Sequence, residues 1–264
     1  MTTPQNWDGM YTVDAGPPPW DIGRPQQAFA RLASRGLLSG RLLDAGCGTG
    51  EHTLLAAAHG ADATGVDISP RAIARARAKA ADRGLRAGFE VADVLSLDRL
   101  GLTFDTAIDS GVFHVFDDQD RPRYVTSLAS VLRSGGHCYL ACFSDRQPGE
   151  WGPRRVTQEE LRAAFSDGWS VISIDADTFE INAGLPAPAV QAWLATIQRV
   201  LPAQTLVTAR RALDREPHVR RRQRHVGVHH AERRERVDHR VDHGGRRADG
   251  GGLADALGAD RVVR

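Results

Sequence analysis

The stretch Arg41-Leu-Leu-Asp-Ala-Gly-Cys-Gly-Thr-Gly-Glu-His52 combines a short apolar strand, an acidic residue and three alternate glycines. The two leucines predict a buried strand, and residues 51–58 resume as a helix. The glycines allow a tight turn and let a ligand approach the backbone closely. The stretch therefore predicts a strand-to-helix loop that binds a nucleoside cofactor.

The glycine spacing separates two classes of cofactor. A dinucleotide fingerprint needs Gly-x-Gly-x-x-Gly, but glutamate and threonine stand where the third glycine would fall. The pattern Asp-x-Gly-x-Gly-x-Gly instead resembles the first motif of class I S-adenosylmethionine-dependent methyltransferases. The resemblance implies that Gly46, Gly48 and Gly50 approach the methionyl part of the cofactor. It also implies that Asp44 accepts hydrogen bonds from loop amides or, through water, from the ligand's ammonium. A glycine-rich turn without a ligand is the alternative.

Short apolar strands alternate with amphipathic helices from about residue 41 to residue 181. This alternation predicts an α/β fold: a Rossmann-like, seven-stranded, mostly parallel sheet with helices on both faces and an N-terminal lid. The strands are predicted at 41–45, 63–67, 87–91, 103–109, 136–143 and, as a late hairpin, 169–174 and 178–181. One helix is predicted at 69–83, where Ser69 is a cap and Pro70 the first helical residue, and the last helix at 188–200. The predicted domains are an N-terminal lid and lead-in helix at 1–40, a methyltransferase domain at 41–208 and a tail at 209–264.

The ends of the second and third strands supply further candidate cofactor contacts. Asp67 follows the first glycine by about twenty residues and can accept both ribose hydroxyls, and Ile68 comes directly after it. In the family that the chain resembles, an acid at the edge of the third strand meets the adenine amino group. This implies a contact from Asp93, with Val94 packing on the ring. A helix cap at Asp67 and a solvated turn at Asp93 are the alternatives.

The end of the fourth strand is the expected place of the chemistry, because ligands bind at the carboxyl ends of open parallel sheets. There Asp109, or the carbonyls beside it, and Ser110 are candidates for holding the methionyl ammonium. Gly111 would leave room for the methyl group, and Phe113 would wall the acceptor pocket. His114 is the candidate general base for a hydroxyl or thiol, and a structurally packed histidine is the alternative.

A second resemblance lies upstream and downstream of the glycine loop. Pro18-Pro-Trp-Asp-Ile-Gly23 resembles the N-terminal segment of thiol and thiopurine methyltransferases and of related bacterial small-molecule methyltransferases, and Gly152-Pro-Arg-Arg-Val-Thr resembles a later loop. The resemblance implies that Trp20 contacts the cofactor and that Trp7 and Tyr11 belong to a lid beside the substrate pocket. Arg154 is a candidate for attracting an anionic substrate group. Core packing of Trp20 and solvation of Arg154 are the alternatives.

The C-terminal segment differs from the rest in composition. Residues 211–264 hold 14 arginines against nine acidic residues, and no aromatic residue follows Trp193. Such a segment cannot build a core, so 209–264 is predicted to be a disordered Arg/His/Gly-rich tail. A shifted reading frame, a basic arm for nucleic acid and a metal-binding segment are the other interpretations. Interspersed acids, the lack of stacking aromatics and the irregular histidine spacing argue against nucleic acid and metal.

The remaining sequence features indicate where the protein is located and what it binds. Three cysteines without zinc spacing indicate neither disulfides nor a structural metal. The N-terminus lacks a signal pattern and no run is long enough to span a membrane, so the expected location is the cytoplasm. We therefore expect S-adenosylmethionine-dependent methylation of a hydroxyl, thiol or nitrogen on a small aromatic or heterocyclic molecule by a monomer or homodimer. A non-catalytic S-adenosylmethionine-binding module and a nicotinamide-dependent oxidoreductase are the alternatives.

Overall fold

The chain forms a seven-stranded sheet in this computed structural model, which describes residues 6–12, 16–182 and 189–201. The strands are β1 Arg41–Ala45, β2 Asp62–Asp67, β3 Gly88–Val91, β4 Phe104–Ser110, β5 Leu132–Phe143, β6 Trp169–Glu180 and β7 Ala189–Arg199. Their order across the sheet is β3-β2-β1-β4-β5-β7-β6. Neighbouring strands are parallel except where β7 pairs with β5 and β6. The predicted Rossmann-like, mostly parallel sheet is confirmed.

Five α-helices accompany the sheet within the described residues: α1 Gln27–Ser34, α2 Glu51–Ala58, α3 Pro70–Asp82, α4 Asp120–Val131 and α5 Gln158–Ala164. The start of α3 follows the predicted signals, since Ser69 accepts a hydrogen bond from the amide of Ala72 and Pro70 is the first helical residue. A reciprocal capping box of Thr157 and Glu160 begins α5. Local side-chain chemistry thus accounts for where these helices begin.

The sheet separates two apolar layers, because successive residues of a strand face opposite sides. Leu43 of β1 and Ala107 of β4 belong to a core shared with α4 and α5. Their neighbours Leu42 and Ile108 belong to the opposite core, which includes α1. A smaller cluster joins α2 and α3. Burial on both faces leaves the carboxyl edge of the parallel strands as the place where loops meet a ligand.

The late part of the sheet differs from the prediction in two places. The hairpin predicted at 169–174 and 178–181 is wrong. A single strand, β6, runs through this region and ends at Glu180, with a register shift between Val171 and Ser173. The helix predicted at 188–200 is wrong, because residues 189–199 form β7 between β5 and β6. Alanine, glutamine and leucine favour helix locally, but hydrogen bonding to strands on both sides outweighs that preference. β5 also begins at Leu132, four residues before the predicted start.

All described residues belong to one structural unit, Met1–Pro217. The predicted tail at 209–264 lies outside the described residues. Within the described part of the chain, no helix has the length and apolarity needed to cross a membrane. The same ranges contain no cluster of three or more side chains suited to holding a metal ion.

Candidate active site

The glycine loop connects β1 to α2 and approaches its surroundings closely. Gly46, Gly48 and Gly50 all have positive φ angles. A Cβ atom at Gly50 would stand 2.8 Å from the ring of Phe89, while one at Gly48 would meet only the hydroxyl of Tyr11, at 3.0 Å. The middle of the loop at Gly48 thus faces one side-chain hydroxyl, and the end of the loop at Gly50 packs tightly against the core.

Two carboxyl groups flank this loop. Asp44 is buried; one oxygen accepts from the Thr53 hydroxyl at 2.6 Å, and the other, Oδ1, has no hydrogen-bond partner. Burial raises the pKa of Asp44 to about 7. Asp67 accepts from the amides of Gly48 at 2.8 Å and Ser69 at 2.9 Å, and burial raises its pKa above the ordinary value. Asp67 therefore sets the shape of the loop from the end of β2.

The adenine-side candidates lie along the ends of β2 and β3. Ile68 is half exposed and presents an apolar surface beside the loop. Asp93 is exposed and accepts from the amide of Leu95 at 2.9 Å, as the cap of the 3-10 helix Val94–Leu100. Val94 packs against the core next to it. The structure thus places these three predicted residues on one edge and shows Asp93 capping a turn there.

An N-terminal segment covers the glycine loop. Tyr11 is buried against Gly48, and its hydroxyl accepts from Trp20 Nε1 at 3.0 Å. Trp7 meets the Trp20 ring edge-on, with centroids 5.8 Å apart. The prediction of Tyr11 as a substrate-pocket residue needs correction, because its position is over the cofactor loop. Trp20 is 40% exposed, so simple core packing does not describe it.

Polar contacts tie this lid to α3 and to the sheet. Asp8 accepts from the Ser69 hydroxyl at 2.7 Å and pairs with Arg71. Asn182 donates from Nδ2 to the carbonyls of Pro18, at 2.7 Å, and Asp21, at 3.0 Å. None of these anchors belongs to a short motif, so sequence reasoning missed them. They show that Asn182, which follows β6, holds the Pro-Trp-Asp segment through the backbone carbonyls of that segment.

The end of β4 departs from its predicted role at Asp109. Its carboxylate is fully buried and accepts from the amides of Val112, at 2.7 Å, and Phe113, at 3.0 Å, and from the Tyr124 hydroxyl at 2.9 Å. Burial raises its pKa to about 7. The side chain therefore organises the turn after β4 and is not available to an ammonium, which corrects the prediction. Ser110, at the last position of β4, remains at the sheet edge.

Two further predictions near this turn are wrong in position. Phe113 has no exposed surface and packs in the core against Phe165, so it does not wall an acceptor pocket. Arg154 pairs with Asp118 at 2.5 Å and with Glu160, and its side chain is 42% exposed. Phe113 is thus taken up by core packing, and Arg154 by two surface ion pairs.

His114 is buried at the carboxyl edge of the sheet. Its Nδ1 accepts the amide hydrogen of Phe143 at 3.0 Å. A neutral imidazole carries one ring hydrogen, so that hydrogen is on Nε2, which faces Gly111. Burial, together with the positive charges of Arg121 and Arg155, lowers the pKa of His114 to about 3. This geometry favours the alternative of a packed, neutral histidine that donates from Nε2 over the predicted general base.

Aromatic rings surround this histidine. The Phe143 and Phe179 rings lie 5.0 Å and 6.1 Å from it, centroid to centroid, and Trp151 meets Phe143 edge-on at 6.2 Å. We call His114, Phe143, Trp151 and Phe179 the aromatic cluster. It draws on the ends of β5 and β6 and on the loop after β5, a combination that no local sequence pattern predicts.

Arg121 is a buried cation next to the cluster. Its Nη1 lies 3.1 Å from Glu160, while Nε and Nη2 have no hydrogen-bond partner among the described residues. The guanidinium stands 4.8 Å above the Phe113 ring. Nothing in the sequence around Arg121 indicates that this charge is buried. Positive potential is therefore built into the side of the site where His114 lies.

Comparison with known proteins places this geometry in a family. Residues 42–136 match the family described as "Methyltransferase domain". The 2-heptyl-1-hydroxyquinolin-4(1H)-one methyltransferase of Mycobacteroides abscessus is 36% identical over 163 residues, which are 61% of this chain and 72% of the relative. The chain belongs to the S-adenosylmethionine-dependent methyltransferases. This assignment replaces the two alternatives, a nicotinamide-dependent oxidoreductase and a non-catalytic binding module.

Two other similar proteins have a name or a description that refers to sulfur chemistry. Probable thiol methyltransferase 2 of Arabidopsis thaliana is 28% identical over 172 residues, covering 64% of this chain and 75% of the relative. A solved structure described as "Conversion of a Disulfide Bond into a Thioacetal Group during Echinomycin Biosynthesis" has a TM-score of 0.65. It is 37% identical and covers 75% of this chain and 92% of that chain.

The fold also matches methyltransferases solved with the cofactor. Magnesium protoporphyrin IX methyltransferase from Synechocystis PCC 6803 with bound S-adenosylmethionine has a TM-score of 0.51 at 22% identity, covering 65% of this chain and 76% of that one. The cofactor of the present methyltransferase is S-adenosylmethionine. Its glycine loop suits that ligand, since Asp44 offers a buried oxygen without a partner and only the Tyr11 hydroxyl stands over Gly48.

Proposed function

We propose that this methyltransferase transfers a methyl group to a hydroxyl oxygen on a planar aromatic heterocycle. The observation that carries the proposal is the aromatic cluster, in which a neutral His114 packs edge-on against Phe143 and Phe179 at the carboxyl edge of the sheet, with Nε2–H near Gly111. Flat apolar walls with a single directed donor suit a planar ring that bears one oxygen. The M. abscessus relative, named for a hydroxyquinolinone, supports the same class of acceptor.

The cofactor side of the proposal rests on the loop and its carboxylates. We assign the methionyl part to Gly46, Gly48 and Gly50, with Asp44 Oδ1 as an acceptor toward the ammonium. Asp67 is assigned to the ribose and Ile68 to one face of the adenine. Asp93, Val94, Ser110 and Gly111 remain candidate contacts. Bound S-adenosylmethionine supplies an activated methyl group on its sulfonium, so the protein's main task is to align the acceptor and exclude water.

Activation of the acceptor follows from the electrostatics around His114. Arg121 and Arg155 lower the pKa of His114 because positive charge nearby disfavours a second positive charge. The same potential favours an oxyanion over a neutral hydroxyl, so it lowers the pKa of an acceptor bound at this place. His114 Nε2–H then donates to the oxygen that forms. The acceptor hydroxyl releases its proton to water as it binds, so the reactive oxyanion forms without a general base in the protein.

Sulfur is the second candidate acceptor. The thiol methyltransferase of A. thaliana and the structure described for conversion of a disulfide into a thioacetal favour it. A thiolate would meet the same donor and the same positive potential. The aromatic cluster fits a planar ring better than an aliphatic thiol, and this is why a hydroxyl on a heterocycle is the first choice.

A matched set of acceptors tests the proposal. The purified full-length chain is incubated with S-adenosylmethionine and with 2-heptyl-1-hydroxyquinolin-4(1H)-one, its analogue without the 1-hydroxyl group, or thiophenol, and the products are identified by mass spectrometry. We expect methylation of the hydroxyl compound and none of the analogue without it. Turnover of thiophenol alone would reject the hydroxyl acceptor in favour of sulfur. Methylation of both quinolinones would reject the 1-hydroxyl as the acceptor, and fragmentation of the products would then assign the methyl group to the 4-oxygen, to nitrogen or to carbon.

A further inference from the structure

One arginine side chain organises the loop between β5 and α5. Arg155 donates from Nε to the carbonyl of Gln147 at 3.3 Å and from Nη1 to that of Pro153 at 2.7 Å. Its Nη2 donates to the carbonyls of Gly149, at 3.0 Å, and Trp151, at 2.9 Å. Four backbone carbonyls within seven residues are thus gathered around a single guanidinium, whose planar fork of donors suits such a task.

The same guanidinium lies on the aromatic cluster. Its central carbon is 5.4 Å from the centroid of the Phe143 ring, and Trp151 packs edge-on against that ring at 6.2 Å. The loop carries no regular secondary structure from Arg146 to Arg155. Arg155 is therefore the element that determines where Trp151 stands relative to Phe143.

We propose that Arg155 is a positioning residue that shapes the acceptor side of the site by holding Trp151 against Phe143. This inference rests on the proposed function, because it takes the aromatic cluster as the place of the acceptor. Arg155 holds the loop through backbone carbonyls and makes no contact with the reacting atoms, on which its charge acts only from a distance. Its loss should weaken capture of the acceptor and leave the glycine loop, on the opposite side of β4, as it is.

Lysine and glutamine at position 155 separate geometry from charge. Arg155→Lys keeps the positive charge but cannot reach four carbonyls with one ammonium group, and Arg155→Gln loses both. Arg162→Gln, on the exposed side of α5, removes a charge from the same region without touching the loop. Hydrogen–deuterium exchange of residues 147–153, the Kd of S-adenosylmethionine, and the KM and kcat for an acceptor that the wild type methylates are measured for each.

We expect both Arg155 variants to raise the acceptor KM by about tenfold, equivalent to ~1.4 kcal/mol, and to speed exchange in residues 147–153. The cofactor Kd should stay at the wild-type value in both, and Arg162→Gln should behave as the wild type. Wild-type KM and exchange in Arg155→Lys would overturn the proposal, because charge alone would then suffice. A cofactor Kd that rises together with the acceptor KM would overturn it as well, since the loop would then act on the whole fold.

The exchange measurement needs no acceptor, so it separates this inference from the proposed function. If the wild type methylates sulfur and no hydroxyl, the proposed acceptor is wrong, yet the comparison of Arg155 variants still decides the role of the loop. If the hydroxyl is methylated and exchange in residues 147–153 is the same in all variants, the proposed function stands and the positioning role is rejected.

Discussion

Replacing Gly50 by alanine tests whether the glycine loop is packed as the structure shows. Gly50 has a φ angle of 86°, and a Cβ atom there would stand 2.8 Å from the Phe89 ring and 2.9 Å from the Cβ of Ala76. Both neighbours are buried, so neither moves freely. The variant therefore combines a left-handed backbone at a residue with a side chain and an overpacked core.

The expected loss of stability follows from these two contributions. A left-handed conformation costs a residue with a side chain about 1–2 kcal/mol. An extra methyl group forced into a packed core costs about 1–3 kcal/mol. The free energy of unfolding should therefore fall by about 2–5 kcal/mol, which is a large share of the ~5–15 kcal/mol of a typical domain. Urea unfolding followed by circular dichroism measures it.

Gly48→Ala is the matched control in the same loop. Its φ angle is 54°, and the added Cβ would meet only the Tyr11 hydroxyl, at 3.0 Å. We expect a loss of about 1–2 kcal/mol from the backbone alone. Calorimetry should also show weaker S-adenosylmethionine binding, because the methyl group stands between the loop and the lid. Equal destabilisation by both variants, or a loss below about 1 kcal/mol for Gly50→Ala, would refute the reasoning.

Three further predictions concern the core hydrogen bond of Tyr124, the lid contact of Asp8 and the hydrogen-bond donor His114. Tyr124→Phe removes a hydrogen bond to buried Asp109 and should lower the free energy of unfolding by about 1.5–3 kcal/mol in urea titrations; no loss would contradict that bond. Asp8→Asn weakens the contact with Ser69 and should speed release of S-adenosylmethionine in stopped-flow experiments by about fivefold or less, as the half-exposed pairing implies. Because the pKa of His114 is lowered to about 3, it is neutral above pH 5, so His114→Asn should lower kcat/KM without changing its pH profile. If kcat/KM of the wild type changes with pH near 6.5 and this change is absent from the variant, His114 is a general base after all.

Local signals in the sequence predicted the framework well. The strand, loop and helix from Arg41 to Ala58 and the cap at Ser69 depend on neighbours within a few residues, and the structure has them where predicted. The late strands were predicted less well. β7 pairs with β6, the strand before it, and with β5, where His137 lies opposite Gln198; a partner as distant in sequence as β5 leaves no trace in a local pattern.

In the site, too, side chains whose place depends on local sequence were predicted better than those whose place depends on the folded surroundings. Asp44, Asp67 and the glycines were predicted from their places at the ends of β1 and β2, and the structure brings Asp67 to the glycine loop through the amide of Gly48. Asp109 and Phe113 were misplaced because a turn of three residues decides whether a side chain faces the ligand edge or the core. The role of Arg155 could not be predicted, because its acceptors are backbone carbonyls, which every residue carries.

The sequence by itself determined the fold class and the cofactor, and it predicted the edge of the sheet where the cofactor and the acceptor meet. Periodicity and glycine spacing are local, and parallel strands bring their ends together whatever the loops do. Only the tertiary structure decided the protonation of His114, the partners of the buried charges and the shape of the acceptor side. Burial and the distance between charges set a pKa, and both come from residues that meet only when the chain is folded.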